Sequence, residues 1–372
     1  MKRLVLLGGG HAHLHVLKDL GERADQSLSV TLVTPRPQLP YTGMLPGCIA
    51  GHYRFDEIAI DLVKLAARAH ASFVQSNAVL VNPSMREVIC ADGSVLAYDV
   101  LSVNIGSVPR IGSAHGVEQF AIAVRPLEQA VEGWQRVLEA AHAGTVTSIS
   151  IVGGGAGGVE LALAMDWRLK CELGPTGPHV RVFTDTPIVM PGFPEGARRD
   201  LLRRCAARGI GVHAASEVID VREKSVQLAN KMEFASDATF WAGGAGAPDL
   251  FRDSGFEIDR QGFLSIDEYL QSVSHPGVFA AGDCATRVDD PRPKAGVFAV
   301  RAGNVLSQNI RAALAGAPLQ RWKAQRRYLS LISTGDRNAV GAWGPFSFSG
   351  EWAWRWKDRI DRRFVDSFQL SS

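Results

Sequence analysis

The chain has 372 residues, 46% hydrophobic and 21% charged, with 38 Gly, 8 Trp, 5 Cys and a formal net charge of +2. At roughly 100–200 residues per domain, this length accommodates two or three domains with buried cores. Glycine gathers in short clusters without a period, which excludes collagen-like and low-complexity chains, and the near-neutral charge excludes a nucleic-acid binder of the usual basic kind. Both tryptophan and charge are skewed: residues 321–372 hold five of the Trp and ten Lys/Arg against five Asp/Glu, so this tail is +5 and the preceding residues are −3. No apolar run reaches the ~18 residues of a membrane span. The run Leu4-Val5-Leu6-Leu7 is cut off by glycine too early for a signal-peptide core, so a cytoplasmic chain is expected, free or peripheral on the inner membrane face. Cys48, Cys90, Cys171, Cys205 and Cys284 are odd in number and lack CxxC spacing, which counts against a disulfide framework or a structural zinc site.

In chain order, residues 2–7 read as a strand ending in glycine, residues 11–20 as a helix and residues 28–33 as a second strand. Short strands follow over 87–103 around an Asp92-Gly93 turn, and Pro109 and Gly112 mark a crossover. A helix is predicted over 128–143. The opening pattern then returns as a strand at 148–152, glycines at 153–158, a helix from Val159 to about Leu173 and a strand at 180–183. Gly243 to Pro248 reads as the return crossover, 278–281 as a strand ending in Gly282-Asp283, and a helix is predicted to start near Ala295. The expected architecture is α/β: two Rossmann-like units plus an aromatic, basic C-terminal segment. The expected domains are 1–115 with 248–320, 116–247, and 321–372.

The two glycine loops carry the chemistry. Gly8-Gly9-Gly10-His11-Ala12-His13 nearly fits G-x-G-x-x-G, with Gly8 for the tight turn and Gly10 for close approach of a pyrophosphate to the helix N-terminus. His13 occupies the third glycine position, so the helix is expected to sit off its strand or to turn His13 outward. Gly153, Gly155 and Gly158 form an intact second motif between strand and helix. An acidic residue normally ends the second strand and accepts bonds from ribose hydroxyls. Both units have threonine there, Thr34 and Thr184, the latter followed by Asp185. No Arg or Lys adjoins Thr184 to meet a 2′-phosphate, a mild preference for NADH over NADPH.

These two loops, together with Ala91-Asp92-Gly93, Tyr98-Asp99-Val100-Leu101, Gly106-Ser107-Val108-Pro109 and Val278-Phe279-Ala280-Ala281-Gly282-Asp283, resemble the two-dinucleotide flavoproteins of the pyridine nucleotide–disulfide oxidoreductase superfamily. The resemblance covers about residues 1–320. It implies FAD at the first site, on Gly8, Gly10, His11, Ala12, Thr34, Pro46, Val79, Gly106, Gly282, Asp283 and Ala295, with Asp283 on the ribityl chain. It implies NADH or NADPH at the second, on Gly153, Gly155, Gly158, Glu160, Thr184, Asp185 and Gly243. Tyr41-Thr42-Gly43-Met44-Leu45-Pro46 looks like the flavin-facing loop of type II NADH dehydrogenases. The first loop with His15, residues 40–52, and Trp354-Arg355-Trp356-Lys357-Asp358 with Asp361-Arg362-Arg363-Phe364 look similar to the flavoprotein fused to, or encoded beside, selenophosphate synthase.

The implied activity is an FAD-dependent NAD(P)H oxidoreductase that passes hydride from nicotinamide to flavin N5 and on to a small-molecule acceptor, a quinone among the candidates. Such chemistry requires position and electrostatics rather than a protein acid or metal. Glu160, expected in the first turn of its helix, is placed by the resemblance at the nicotinamide or, alternatively, is favoured there by the helix dipole. Lys294 adds positive charge near the flavin or is a solvated surface lysine. The dehydrogenases' quinone-side Gln residues align here with Val297 and Arg301. Two alternatives stay open: a sulfide- or persulfide-handling flavoprotein working through Cys48, and a flavin-binding partner protein of selenium metabolism with little NAD(P)H activity. His11, His13 and His15 do not share one helix face, and no metal site is expected. In the tail, Trp352, Trp356, Ile360 and Phe364 form one helical stripe amid arginines. It is expected to pack on its own body, on a second subunit or on a membrane interface.

Overall fold

The computed structural model describes residues 1–369. Its elements are β1 (Lys2–Leu7), α1 (His11–Glu22), β2 (Leu28–Val33), β3 (Ala71–Val74), β4 (Val100–Val103), β5 (Ala121–Ala123), α2 (Leu127–His142), β6 (Ser148–Val152), α3 (Ala156–Leu173), β7 (His179–Phe183), α4 (Glu195–Ala207), β8 (Gly211–His213), β9 (Ala238–Trp241), β10 (Val278–Ala280), α5 (Gly296–Ala315), β11 (Leu329–Ser333), β12 (Ala339–Trp343), β13 (Phe346–Gly350) and α6 (Glu351–Asp366). Short antiparallel sheets, including Glu87–Cys90 with Val95–Ala97, complete the connections.

Two five-stranded parallel sheets carry the glycine loops, in the orders β10-β4-β1-β2-β3 and β5-β9-β6-β7-β8. β1 from Leu4 onward and β6 throughout are buried on both faces, as parallel strands require, with Ser148 and Ser150 the polar residues of β6. Each glycine loop leaves the carboxyl end of the central strand, where open α/β sheets bind ligands. The chain crosses between the units at Val108–Pro109 and returns at Ala245–Gly246, and these segments pair antiparallel with each other.

Residues 329–350, read only as tail from the sequence, form an antiparallel meander of β11, β12 and β13. Its apolar faces are short and glycine-interrupted, which hid the period of two. Ile332, Val340 and Ala342 join the core of the second unit, while Val365 and Phe368 join that of the first. The tail therefore packs on its own body and ties both cores together.

α6 turns most of its aromatic stripe away from its own body. Its buried face is Ala353, Lys357, Asp361 and Val365. Trp352, Trp356 and Ile360 point outward, 54%, 43% and 41% exposed, and only Phe364 of the predicted stripe turns partly inward. No helix among the described residues is long and apolar enough to cross a membrane.

Candidate active site

A cavity of about 1310 Å³ runs from the first glycine loop to the start of α3. Drug-sized pockets span ~300–1,000 Å³, so this volume suits a dinucleotide together with a second ligand. Gly8, Gly10, His11 and Thr34 line one end, and Gly106, Gly282, Asp283 and Ala295 line the wall leading inward. A Cβ on Gly8 (φ +86°) or Gly10 would collide with Asn104, so the loop lies flat on the end of β4 and keeps its surface clear for a phosphate.

Asn104 escaped the sequence reading. Its Oδ1 accepts from the N–H groups of Ala12 (2.9 Å) and His13 (3.3 Å), and its Nδ2 donates to Ala281 O (2.6 Å). One buried amide thus fixes the first loop against the Gly282-Asp283 turn, and Ala12 is covered rather than lining the cavity. The only signal was an Asn closing an apolar strand.

Several expected contacts are displaced. Pro46 is buried in the short helix Leu45–Ile49, and Val79 is 54% exposed on a strand edge; neither reaches the cavity wall. His13 neither turns outward nor opens a gap. It is fully buried, with Nδ1 2.6 Å from Gly8 O and Nε2 2.8 Å from Ser102 Oγ. In the second unit the same position, Gly158, lies so close to Gly153 O that a Cβ would collide with it.

The second loop is less fully built into the cavity. Ala156, Gly157 and Glu160 line it, whereas Gly153, Gly155, Gly158, Thr184, Asp185 and Gly243 do not. Thr184 is buried and shares a 2.9 Å hydrogen bond with Thr186, Asp185 is exposed, and Gly243 abuts the Trp241 indole and Arg110 O.

α3 begins at Ala156, three residues before the predicted start, which puts Glu160 in the second turn, beyond the helix N-terminal dipole. Its Oε1 instead accepts from Ser333 N–H (2.7 Å) on β11. Burial pushes its carboxyl up to about 7, against the pull of Lys357 and of that N–H. Lys357 Nζ donates to Asp361 Oδ2 (2.6 Å) and to Gly43 O of the loop after Tyr41. Burial opposes its charge, but Asp361 and Glu160 outweigh that and keep the ammonium above the usual lysine range. Asp361 and Lys357 both line the cavity, with Tyr41 and Phe364 stacked beside them at 4.5 Å.

Lys294 is not the solvated surface lysine of one expectation: it lines the cavity beside Asp283 and Ala295. Its ammonium donates to Ala285 O (2.5 Å) and Thr286 Oγ1 (2.8 Å) and sits 3.8 Å over the Phe263 ring. Cys48 packs against both cores, off the cavity wall, and burial pushes its thiol up to about 11, which disfavours the thiolate that redox chemistry needs. His11 edges against Tyr41 and Phe364, and burial lowers its imidazole to about 4. Among the described residues, no three His, Cys, Asp or Glu side chains gather to hold a metal.

Residues 2–303 match the profile of the pyridine nucleotide-disulphide oxidoreductase family. The chain belongs to that family. Its relatives include the demethylphylloquinone reductase NdbB of Synechocystis, 27% identical over 334 residues (85% of this chain, 81% of the relative). The NADH dehydrogenase-like protein YutJ of Bacillus subtilis is 23% identical over 291 residues (77% of each). The fold matches NDH2 of Plasmodium falciparum solved with NADH, with TM-score 0.83, 16% identity and coverage of 98% and 97%. It also matches the sulfide:quinone oxidoreductase of Aquifex aeolicus, with TM-score 0.83, 18% identity and coverage of 99% and 91%. The protein is an FAD-dependent NAD(P)H oxidoreductase of the NADH dehydrogenase-like kind. The flattened first loop and the cavity wall at Gly282-Asp283 fit FAD, and Asp283 is a carboxylate on that wall.

Proposed function

We propose that the chain oxidises NADH or NADPH over α3 and reduces a quinone-type acceptor that enters beside α6, with the outer face of α6 resting on a lipid interface. One observation carries this reading: α6 lines the cavity with Lys357, Asp361 and Phe364 while its opposite side exposes Trp352, Trp356 and Ile360. Ile360 belongs to both surfaces, so the cavity opens at the aromatic face. Trp343 and Phe346 of the neighbouring hairpin, 45% and 70% exposed, extend that face, and Arg359 and Arg363 flank it. An aromatic plateau with basic flanks suits anionic headgroups. The names of relatives such as the demethylphylloquinone reductase agree with a quinone. The likeness to the selenophosphate-synthase-associated flavoprotein adds no acceptor to this reading.

Bound FAD supplies the two-electron carrier between nicotinamide and acceptor. The protein's part is positional and protic. NAD(P)H and one proton convert a quinone to a quinol, and hydride transfer leaves that proton to be found. Glu160, poised near neutrality and exposed to the cavity, holds it, and Lys357 and Asp361 set the local charge. Glu160→Gln therefore lowers quinone turnover by ~10²-fold, and the native fall in turnover as pH rises through about 7 disappears in the variant.

Flotation with liposomes tests the lipid contact. The native chain should rise with anionic vesicles, and Trp352→Glu/Trp356→Glu should stay in solution while its flavin still bleaches with NADH. Equal flotation of both would remove the membrane assignment.

A further inference from the structure

The first loop lacks the carboxylate that its ligand calls for. Ribose hydroxyls of a bound dinucleotide are normally held by a carboxylate at the end of the second strand. Here β2 is followed by Thr34, whose Oγ1 faces the Arg36 N–H at 3.5 Å. A carboxylate reaches this end of the cavity from the other unit instead. Glu128, in the first turn of α2, lies 3.6 Å from the Arg36 guanidinium, and both residues line the cavity.

Three residues earlier in the same segment the polarity is reversed. Arg125 Nη1 donates to Asp283 Oδ2 (3.2 Å) and also to Ser107 Oγ. Residues 125–128 of the nicotinamide unit thus make two ion pairs of opposite sense across the FAD groove. Half-exposed ion pairs add little to stability, so two of them converging on one groove call for another use. A separation of 3.6 Å is longer than a hydrogen bond. Among the described residues no donor engages the Glu128 oxygens, which leaves them open to hydroxyl donors.

We propose that residues 125–128 form a clasp that completes the FAD site from the nicotinamide unit, with Glu128 accepting the adenosine-ribose hydroxyls more strongly than the Thr34 hydroxyl does and Arg125 orienting Asp283 beside the ribityl chain and diphosphate. Arg36 holds the Glu128 carboxylate in place. FAD occupancy and the seating of the nicotinamide unit are then coupled, because one segment serves both. The inference rests on FAD as the first-site ligand and is independent of the acceptor.

Titration of flavin-free protein with FAD and with its 2′,3′-dideoxyadenosine analogue, followed by flavin fluorescence, tests it without any turnover. The native chain should bind the analogue about tenfold more weakly, the value of one hydrogen bond to a charged group. Glu128→Gln should bind FAD as weakly as the analogue, and adding Thr34→Glu should restore the difference. Arg125→Gln should weaken both ligands equally. If Glu128→Gln fails to hold flavin, the discrimination of the native chain between FAD and the analogue decides, and Glu128→Asp, whose carboxylate sits one methylene further back, should discriminate less. The proposal is overturned if the native chain binds both flavins alike or if the Glu128 variant discriminates as the native chain does. Failure of quinone turnover alone would leave these affinities unchanged and would count only against the acceptor assignment.

Discussion

The two glycine loops meet the same packing demand at the carbonyl of their first glycine and answer it differently. In the second loop Gly158 lets α3 press so closely on Gly153 O that no side chain fits. In the first, His13 fills the space and bridges Gly8 O and Ser102 Oγ, while Asn104 satisfies the Ala12 and His13 N–H groups. Close approach and a buried polar bridge are therefore interchangeable in this fold, provided that every polar atom of the bridge is partnered. The bridge carries a condition that glycine does not: His13 must stay neutral.

Breaking the tighter loop should have the largest effect. In Gly158→Ala the new methyl meets backbone, which no rotamer relieves, so the variant loses ~3 kcal/mol or more in denaturant melts. NADH should no longer bleach its flavin. His13→Gly comes next, losing ~2–3 kcal/mol through the vacated volume and the stranded Ser102 hydroxyl, together with part of its flavin.

The pH dependence of that variant sharpens the contrast. Burial lowers the His13 imidazole to about 4, against the opposing Gly8 carbonyl, from an ordinary value of 6.5. A base with a depressed folded-state pKa gives its full stability above 6.5 and loses it as pH falls towards 4. The loss is on the order of 3 kcal/mol. Native melts should lose that increment between pH 6.5 and 4, and His13→Gly should show an acid limb shallower by about the same amount. The smallest effect is expected at Gly155, whose Cβ would meet open space at an ordinary φ of −72°. Gly155→Ala should stay within about 1 kcal/mol of the native chain and reveal itself only as weaker NADH binding.

Much of the fold was legible because its signals are local. β1, β2, β6 and β7 are short strands rich in Val, Ile and Leu followed by glycine or threonine, and the crossovers at Pro109 and Gly243 to Pro248 announce themselves as breaks. The site was legible where backbone dictates residue type, as at Gly8, Gly10 and Gly282. It was not legible where a side chain reaches across the fold. Asn104, Arg125 and Glu128 act on partners at least 91 residues distant, or across the domain boundary, and their types alone are unremarkable in sequence.

The buried face of α6 was hidden for a related reason. Its aromatic stripe left its own body, a second subunit and a membrane open, and the buried spacing Ala353, Lys357, Asp361 and Val365 carries an ion pair that an amphipathic pattern assigns to solvent. A buried pair of this kind is weak evidence for stability, and its position beside Glu160 gives it a place in the site instead.

The central claim is that one cavity joins a nicotinamide donor at α3 to an acceptor beside α6. Anaerobic mixing of the flavin-loaded chain with NADH, followed by a quinone carried in anionic vesicles, tests it most directly through the flavin absorbance. Bleaching on mixing with NADH and return of the oxidised spectrum on adding the quinone are the expected results. Flavin that stays oxidised at millimolar NADH and NADPH, or that bleaches and is not reoxidised by the quinone, would contradict it.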